Sequence, residues 1–467
     1  MAAIPAWLAL DRAAGDLEGQ IYRSLRDRIL DGRLTAPQSL PPSRALAAAL
    51  GVARSTVVNA YDRLKAEGYL EGRAGSATRV AALVPRPAVP AVAAAIAPLP
   101  GAGAPRRRFS PGVPDLGSFP YADWAACLRA AARSVRATDL GYAGTAGLPE
   151  LRALIVDHVA AVRGVSATPE RVLILPSTRA AVDLLARVLL PPGGTVWMEE
   201  PGYASARAVF QAAGARLVPV ACDAQGIDVA AAAGAPPPGL IYTTPSHQYP
   251  TGVTMTLPRR LALLDLARIS GAVVVEDDYD SEFHYAGHPI AALQGIDRAG
   301  VVVYLGTFSK TLAPGLRVAY LIAPPALLPA LAEAHRRGGA AVSGHVQAAL
   351  ARFMRDGRLR AHLRRMIPAY AERRAAVTAA LEARLGHLLV TGPAAEGGLQ
   401  LASWFRDPAT DDAAAARRLA AEGYGPEPMS GFHLGPPRPG LLFGIADVDP
   451  ARIDAAMARI AAILVGR

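Results

Sequence analysis

Lys310 is one of only two lysines among the 49 lysine and arginine residues of this 467-residue chain; the other is Lys65. Arginine stays protonated in proteins, whereas a lysine amine can lose its proton and attack a carbonyl to form an imine. In the run VVVYLGTFSKTLAPGLRVAYL, Thr307 and Ser309 follow an apolar strand and Arg317 stands seven residues beyond the lysine. Two hydroxyls and a guanidinium make a cradle for phosphate, with Lys310 beside it and free to react. Upstream, AVVVEDDYDSEF ends a strand on Asp277 and Tyr279. A buried carboxylate keeps a pyridine nitrogen protonated so that the ring withdraws electrons, and a phenol can bond a ring oxygen. The same EDDYD reads equally as a divalent-metal carboxylate cluster or a solvated turn. Tyr203 follows a strand and a Pro-Gly turn in GTVWMEEPGYASAR, where its ring can stack on a flat cofactor. LPSTRAAVDLL sets Ser177 and Thr178 at a helix N-terminus, an anion site through its free N–H groups and dipole.

The elements that must position these residues alternate between apolar strands and amphipathic helices from about residue 109. Strands are predicted at RVLIL, GTVWMEE, RLVPV, GLIYTTP, AVVVEDD and VVVYLGT, with helices such as STRAAVDLLARVLL and LPRRLALLDLARIS between them. That order implies an α/β domain whose mainly parallel sheet is covered on both faces. Ligands then sit where strand C-termini meet helix N-termini, which is where these motifs fall. The last hundred or so residues have fewer strands and read as a smaller α+β subdomain.

The N-terminal segment has another character. Residues 17–66 read as three helices: the first carries Leu17, Ile21, Leu25 and Ile29 on one face, and Ser43 is the expected N-cap of the second. In the third, Val57, Tyr61 and Leu64 form a core face, leaving Arg54, Ser55, Thr56 and Asn59 to project elsewhere. YLEGRAGSATRVA follows as a hairpin with Arg73 and Gly75 at its tip. Helix, turn, helix and basic hairpin describe a winged helix-turn-helix, whose second paired helix enters the major groove. Residues 1–108 hold fourteen arginines, one lysine and eight acids, so +7 of the chain's +10 falls there. Such a basic excess suits phosphate neutralisation on double-stranded DNA. The boundaries read as 11–80 for the DNA-binding domain, 81–108 for an Ala/Pro-rich linker and 109–467 for the body. A flexible chain of the linker's length spans about 30 Å r.m.s., and a proline-stiffened one about twice that.

Composition excludes several classes. No uninterrupted apolar run reaches the roughly eighteen residues of a membrane span, and two cysteines, Cys127 and Cys222, give no disulfide framework or cysteine-rich metal site. MAAIPAWLALDRAAGD has no basic region ahead of its short apolar run, so a cytoplasmic protein is expected.

The body resembles a fold-type I aminotransferase, and the whole chain resembles the MocR/GabR family, in which a GntR-type winged helix-turn-helix is fused to an aminotransferase-like body. The resemblance runs from about residue 17 to the C-terminus, through LPPSRALAAALGVARSTVVNAYDRLKAEGYLEGR, GYAGTAGLPELR, EEPGYASAR, TPSHQYPTGVTM, VVEDDYDSEFHY and GTFSKTLAPGLRVAYL. It implies pyridoxal 5′-phosphate as cofactor, with Lys310 the Schiff-base lysine and Asp277 the pyridine-nitrogen partner. Tyr279 would contact the 3-oxygen, Tyr203 would stack on the ring, and Ser177, Thr178, Thr307 and Arg317 would hold the phosphate. Tyr142 matches a position that reaches the phosphate from the other subunit, implying a homodimer. Arg44, Arg54, Ser55, Thr56 and Arg73 match the DNA-facing surface.

The sequence also departs from the family. Pro176-Ser177-Thr178-Arg179 replaces a common Ser-Gly-Ala-Gln loop, and HQYPTG lacks the asparagine that catalytic aminotransferases place beside the 3-oxygen. Family members that handle amino acids carry a carboxylate-binding arginine near Leu442, where this chain has only Leu441, Leu442 and Phe443. A substrate carboxylate would be left unpaired there, at a cost of several kcal/mol, unless Arg207 or Arg438 substitutes. This favours a regulator that senses the cofactor, as in the vitamin B6-sensing branch, or an amine reacting with it. The competing readings are a working aminotransferase with an attached DNA-binding domain, and a body that only dimerises the heads.

Overall fold

The computed structural model describes residues 8–72, 77–82, 107–136, 146–285, 290–392 and 397–466. The chain divides into two compact units, Met1–Ala102 and Gly103–Arg467.

The first unit contains α1 (Leu17–Leu30), α2 (Ser43–Leu50), α3 (Arg54–Ala66) and the strands β1 (Leu70–Glu71) and β2 (Arg79–Val80), which pair antiparallel. Its core gathers Ile21, Leu25 and Ile29 of α1, Leu46 of α2 and Val57, Tyr61 and Leu64 of α3, closed by Leu70 and Val80 of the hairpin. The period of α1 thus becomes a buried stripe, and each fully buried aliphatic side chain contributes about 1.5–3 kcal/mol. Ser43 is the first helical residue rather than the N-cap: Pro42 occupies that position and no side chain caps the helix. Gly51, at a left-handed φ of 64°, ends α2 and turns the chain into α3.

In the second unit, the strands β3 (Val172–Leu175), β4 (Thr195–Glu200), β5 (Arg216–Asp223), β6 (Gly226–Ile227), β7 (Leu240–Thr243), β8 (Val273–Asp278), β9 (Val302–Thr307) and β10 (Ala319–Ile322) form one sheet in the order β3-β10-β9-β8-β7-β4-β5-β6. The pairs β4–β5, β4–β7, β7–β8 and β8–β9 are parallel. All six strands expected from the sequence are present. The run RVAYLI supplies an unexpected one, β10, which lies antiparallel between β3 and β9. A fully buried strand of four residues has no alternation to reveal it.

Neighbouring residues divide between the two faces. Tyr242, Val275 and Leu305 pack with the helices Thr178–Leu189 and Ala204–Ala212, whereas Ile241 and Val274 pack with the helix Leu257–Ser270. The C-terminal part folds as a four-stranded antiparallel sheet of β11 (Leu389–Thr391), β12 (Gln400–Phe405), β13 (Glu427–Pro428) and β14 (Gly440–Gly444), ordered β11-β12-β14-β13. The long helix Arg358–Leu385 and the helix Asp412–Ala421 pack on it, and the helix Ile453–Val465 packs on both. Among the described residues no helix is long and apolar enough to cross a membrane.

Candidate cofactor-binding site

The carboxyl ends of β4, β8 and β9 open on one cavity of about 390 Å³. Ser177, Thr178, Tyr203, Asp277, Tyr279, Thr307, Lys310 and Arg317 all line it. Of the other predicted residues, Tyr142 and Arg73 lie outside the described residues.

Each group reaches the cavity for a local reason. Ser177 is the N-cap of the helix Thr178–Leu189 and accepts a hydrogen bond from the Ala180 N–H at 3.1 Å, leaving the first backbone N–H groups of the helix free for an anion. Thr307 caps the short turn Phe308–Thr311, accepting from the Ser309 N–H at 3.1 Å and donating to Ser309 Oγ at 3.0 Å. That turn carries Lys310, whose Nζ donates to the carbonyl of Gly112. Burial lowers the Lys310 pKa below the ordinary lysine value, opposed by the charges of Asp280, Asp277 and Glu427. An amine that loses its proton more readily is the better nucleophile. Arg317 holds a left-handed φ of 54°, a conformation that costs a non-glycine residue about 1–3 kcal/mol.

The acidic run of β8 is neither a solvated turn nor a metal cluster. Its carboxylates are buried, and among the described residues no group of His, Cys, Asp and Glu is arranged to hold a metal. They diverge instead. Glu276 accepts from the N–H groups of Leu293 and Gln294, both at 2.8 Å. Asp278 pairs with Arg163 at 2.8 Å and accepts from the Tyr304 hydroxyl at 2.6 Å. Asp280, just past the strand, bonds His247 Nδ1 at 2.9 Å. Asp277 alone of the four faces the cavity. Its Oδ2 accepts from the Tyr242 hydroxyl, while Oδ1 is buried without a partner. Burial raises the Asp277 pKa to about 7. An orphaned, desolvated carboxylate oxygen fits the protonated nitrogen of a pyridine ring, which would supply the missing donor.

Sequence reasoning missed the supports. Tyr242 lies within GLIYTTP, where nothing distinguishes it from a core residue. Tyr279 accepts from Gln400 Nε2 at 2.7 Å, so its own proton remains available to a ring oxygen. Tyr249 stands edge-on to Tyr203, Tyr279 and Phe432, with centroids 5.3, 5.7 and 5.5 Å away. Buried Glu199 anchors the loop bearing Tyr249, accepting from Thr243 Oγ1 at 2.5 Å, Thr244 Oγ1 at 2.6 Å and Gln248 Nε2 at 3.2 Å.

Neither proposed substitute for a carboxylate-binding arginine lines the cavity. Arg207 donates to the carbonyls of His433 at 2.9 Å and Gly431 at 2.6 Å, and the Arg438 guanidinium stacks 4.8 Å above the Trp404 ring. Leu442 is fully buried in a cluster with Trp404, Met429 and Phe432.

On the first unit, Arg44, Arg54 and Ser55 are exposed and Thr56 is half-buried, all at or near the start of α2 or α3. Asn59 is engaged, donating to Glu18 Oε2 at 3.1 Å. Lys65 faces Asp62 at 3.4 Å.

Comparison with known proteins assigns both units. Residues 115–460 match the family described as aminotransferase class I and II, and residues 17–80 match bacterial regulatory proteins of the gntR family. A Rhizobium meliloti protein named "Probable rhizopine catabolism regulatory protein MocR" is 40% identical over 460 residues, covering 95% of this chain and 93% of that protein. The HTH-type pyridoxine biosynthesis transcriptional regulator PdxR of Corynebacterium glutamicum is 34% identical over 366 residues, 77% of each chain. Among solved structures, the α-aminoadipate aminotransferase LysN of Thermus thermophilus, complexed with N-(5′-phosphopyridoxyl)-L-leucine, aligns with a TM-score of 0.71 at 28% identity, covering 77% of this chain and 92% of that one. With a gntR-type helix-turn-helix joined to a class I and II aminotransferase fold, the chain belongs to the MocR-type transcriptional regulators.

Proposed function

We propose that this protein is a DNA-binding transcriptional regulator whose body holds pyridoxal 5′-phosphate at Lys310 and responds to the cofactor, or to an amine that reacts with it, by changing operator binding. The observation that carries this reading is the buried, unpartnered Oδ1 of Asp277 in the same cavity as Lys310 and a hydroxyl- and arginine-lined anion cradle. When bound, the cofactor supplies an electron-withdrawing ring and a carbonyl carbon that exchanges amines. The chain's own residues do the rest. Ser177, Thr178, Thr307 and Arg317 bind the phosphate, Asp277 keeps the ring nitrogen protonated, Tyr279 offers its proton to the ring oxygen, and Tyr203 and Tyr249 exclude water from the ring face. Arg44, Arg54, Ser55, Thr56 and Arg73 meet the DNA, and Tyr142 completes the phosphate site across a homodimer in the cytoplasm.

Such a regulator acts only through differential affinity for two states, and complete reversal needs about 5.5 kcal/mol. The test is operator affinity and footprint with and without pyridoxal 5′-phosphate, with Lys310→Ala as control. A visible absorbance band that disappears in the variant, together with a changed footprint, is expected. Equal affinities and footprints in all three samples would sink the proposal. Rapid multiple turnover with an amino donor and a keto acid would instead show a working aminotransferase.

A further inference from the structure

The cavity has a wall that the cofactor-holding residues leave unclaimed. It consists of Phe432 and Glu427, bordered by Tyr249 where it meets the ring site, and Leu442 pairs with Glu427 directly across the β13–β14 ladder. Glu427 lines the cavity, where burial raises its carboxyl pKa and the neighbouring charge of Lys310 opposes that rise. The cations lining the cavity among the described residues are Lys310, Arg179 and Arg317. The first is the reactive amine. Arg179 belongs to the helix turn bearing Ser177 and Thr178 and donates to Ser205 Oγ at 3.3 Å. Arg317 stands with Thr307 in the anion cradle. The unclaimed wall is therefore aromatic and apolar with a single anionic group.

Resting on the functional reading above, we infer that the effector is a primary amine without a carboxylate, carrying a second hydrogen-bond donor, an ammonium or a hydroxyl, that Glu427 accepts. A carboxylate on that wall would lie against a like charge in a partly desolvated space with no guanidinium to receive it. An ammonium or hydroxyl would give Glu427 a charge-assisted hydrogen bond, worth more than a neutral one and denied to a plain alkylamine.

The test uses the full-length protein loaded with pyridoxal 5′-phosphate. It reads the shift of the visible absorbance band during titration with four probes of matched length: 1,4-diaminobutane, 4-amino-1-butanol, 4-aminobutyrate and n-butylamine. The diamine and the amino alcohol separate the two donor types. Wild type should bind at least one of them about tenfold or more tightly than butylamine, and 4-aminobutyrate more weakly than either. Glu427→Gln should reduce the diamine preference about tenfold without lowering the melting temperature, and Glu427→Arg should move the preference to 4-aminobutyrate. Wild-type preference for 4-aminobutyrate, or a Glu427→Gln profile identical to wild type, would overturn the inference and leave the cofactor reading intact. No absorbance band in loaded wild type would overturn both.

Discussion

In the protein without cofactor, ionising Asp277 places a charge in a buried site where Oδ1 has no donor. Burial accordingly raises its pKa to about 7, while an unfolded aspartate ionises near 4. The sign follows: because the folded value lies above the unfolded one, this group's stabilising contribution is complete below about pH 4 and is lost as pH rises through about 7. Asp277→Asn removes the penalty, and the amide oxygen can still accept from Tyr242. The variant without cofactor should therefore melt progressively higher than wild type between pH 5 and pH 8, by about a few degrees at the upper end. It should also lose affinity for pyridoxal 5′-phosphate, since a neutral amide holds a pyridinium less well. Melting curves across that pH range check the first point; parallel profiles for the two proteins would mean that Oδ1 is not orphaned. The carboxylate proposed to meet the cofactor is thus one that weakens the fold when nothing pairs with it.

At the scale of elements, α2 and α3 present two kinds of arginine. Arg54 opens the helix that would enter the major groove, whereas Arg44 sits on the helix preceding it. Arg54→Ala is expected to cost about 1–3 kcal/mol and relax specificity at one base pair, while Arg44→Ala should weaken all sequences alike and reduce the salt slope by about one. Binding isotherms at several salt concentrations, on operator and scrambled DNA, distinguish the two; equal effects on both DNAs for Arg54→Ala would place it on phosphate. These positions were legible in the sequence because a helix must bury one stripe, and Val57, Tyr61 and Leu64 identify which. The residues that line the cavity were legible for a related reason, since apolar runs ending in polar residues mark the strand ends where α/β folds bind ligands. What escaped notice has a physical cause too. Tyr249 and Glu427 line the cavity, while Tyr242 and Gln400 support Asp277 and Tyr279 from behind; they come from three separate stretches of sequence that only the tertiary fold brings together. Strand β10 was hidden by uniform burial, and the N-cap expected at Ser43 falls instead on Pro42, which leaves Ser43 as the first helical residue.

Over the whole molecule, charge and chemistry are separated. The N-terminal 108 residues carry most of the net positive charge, while the body buries several of its acids in specific pairings and keeps Lys310 in its cavity. A basic head supplies affinity for any DNA, and a nearly neutral body adds little to that attraction. The body's influence on the operator would therefore act through shape and spacing rather than through added charge.

The left-handed Arg317 has a further consequence. It lets the chain leaving β9 double back as β10, so that Thr307 lies opposite Ala319 and the Phe308 N–H donates to the Val318 carbonyl at 3.1 Å. Lys310 and Arg317 thus share one closed excursion between adjacent strands, whereas Asp277, Tyr203 and Ser177 enter by separate long crossovers. Closing a short loop costs little chain entropy, and distant segments assemble more slowly. On refolding, Lys310 and Arg317 should come together before the rest of the cavity wall is complete. Pulsed hydrogen exchange should show amides of β9 and β10 protected ahead of those of β4; simultaneous protection would refute that order.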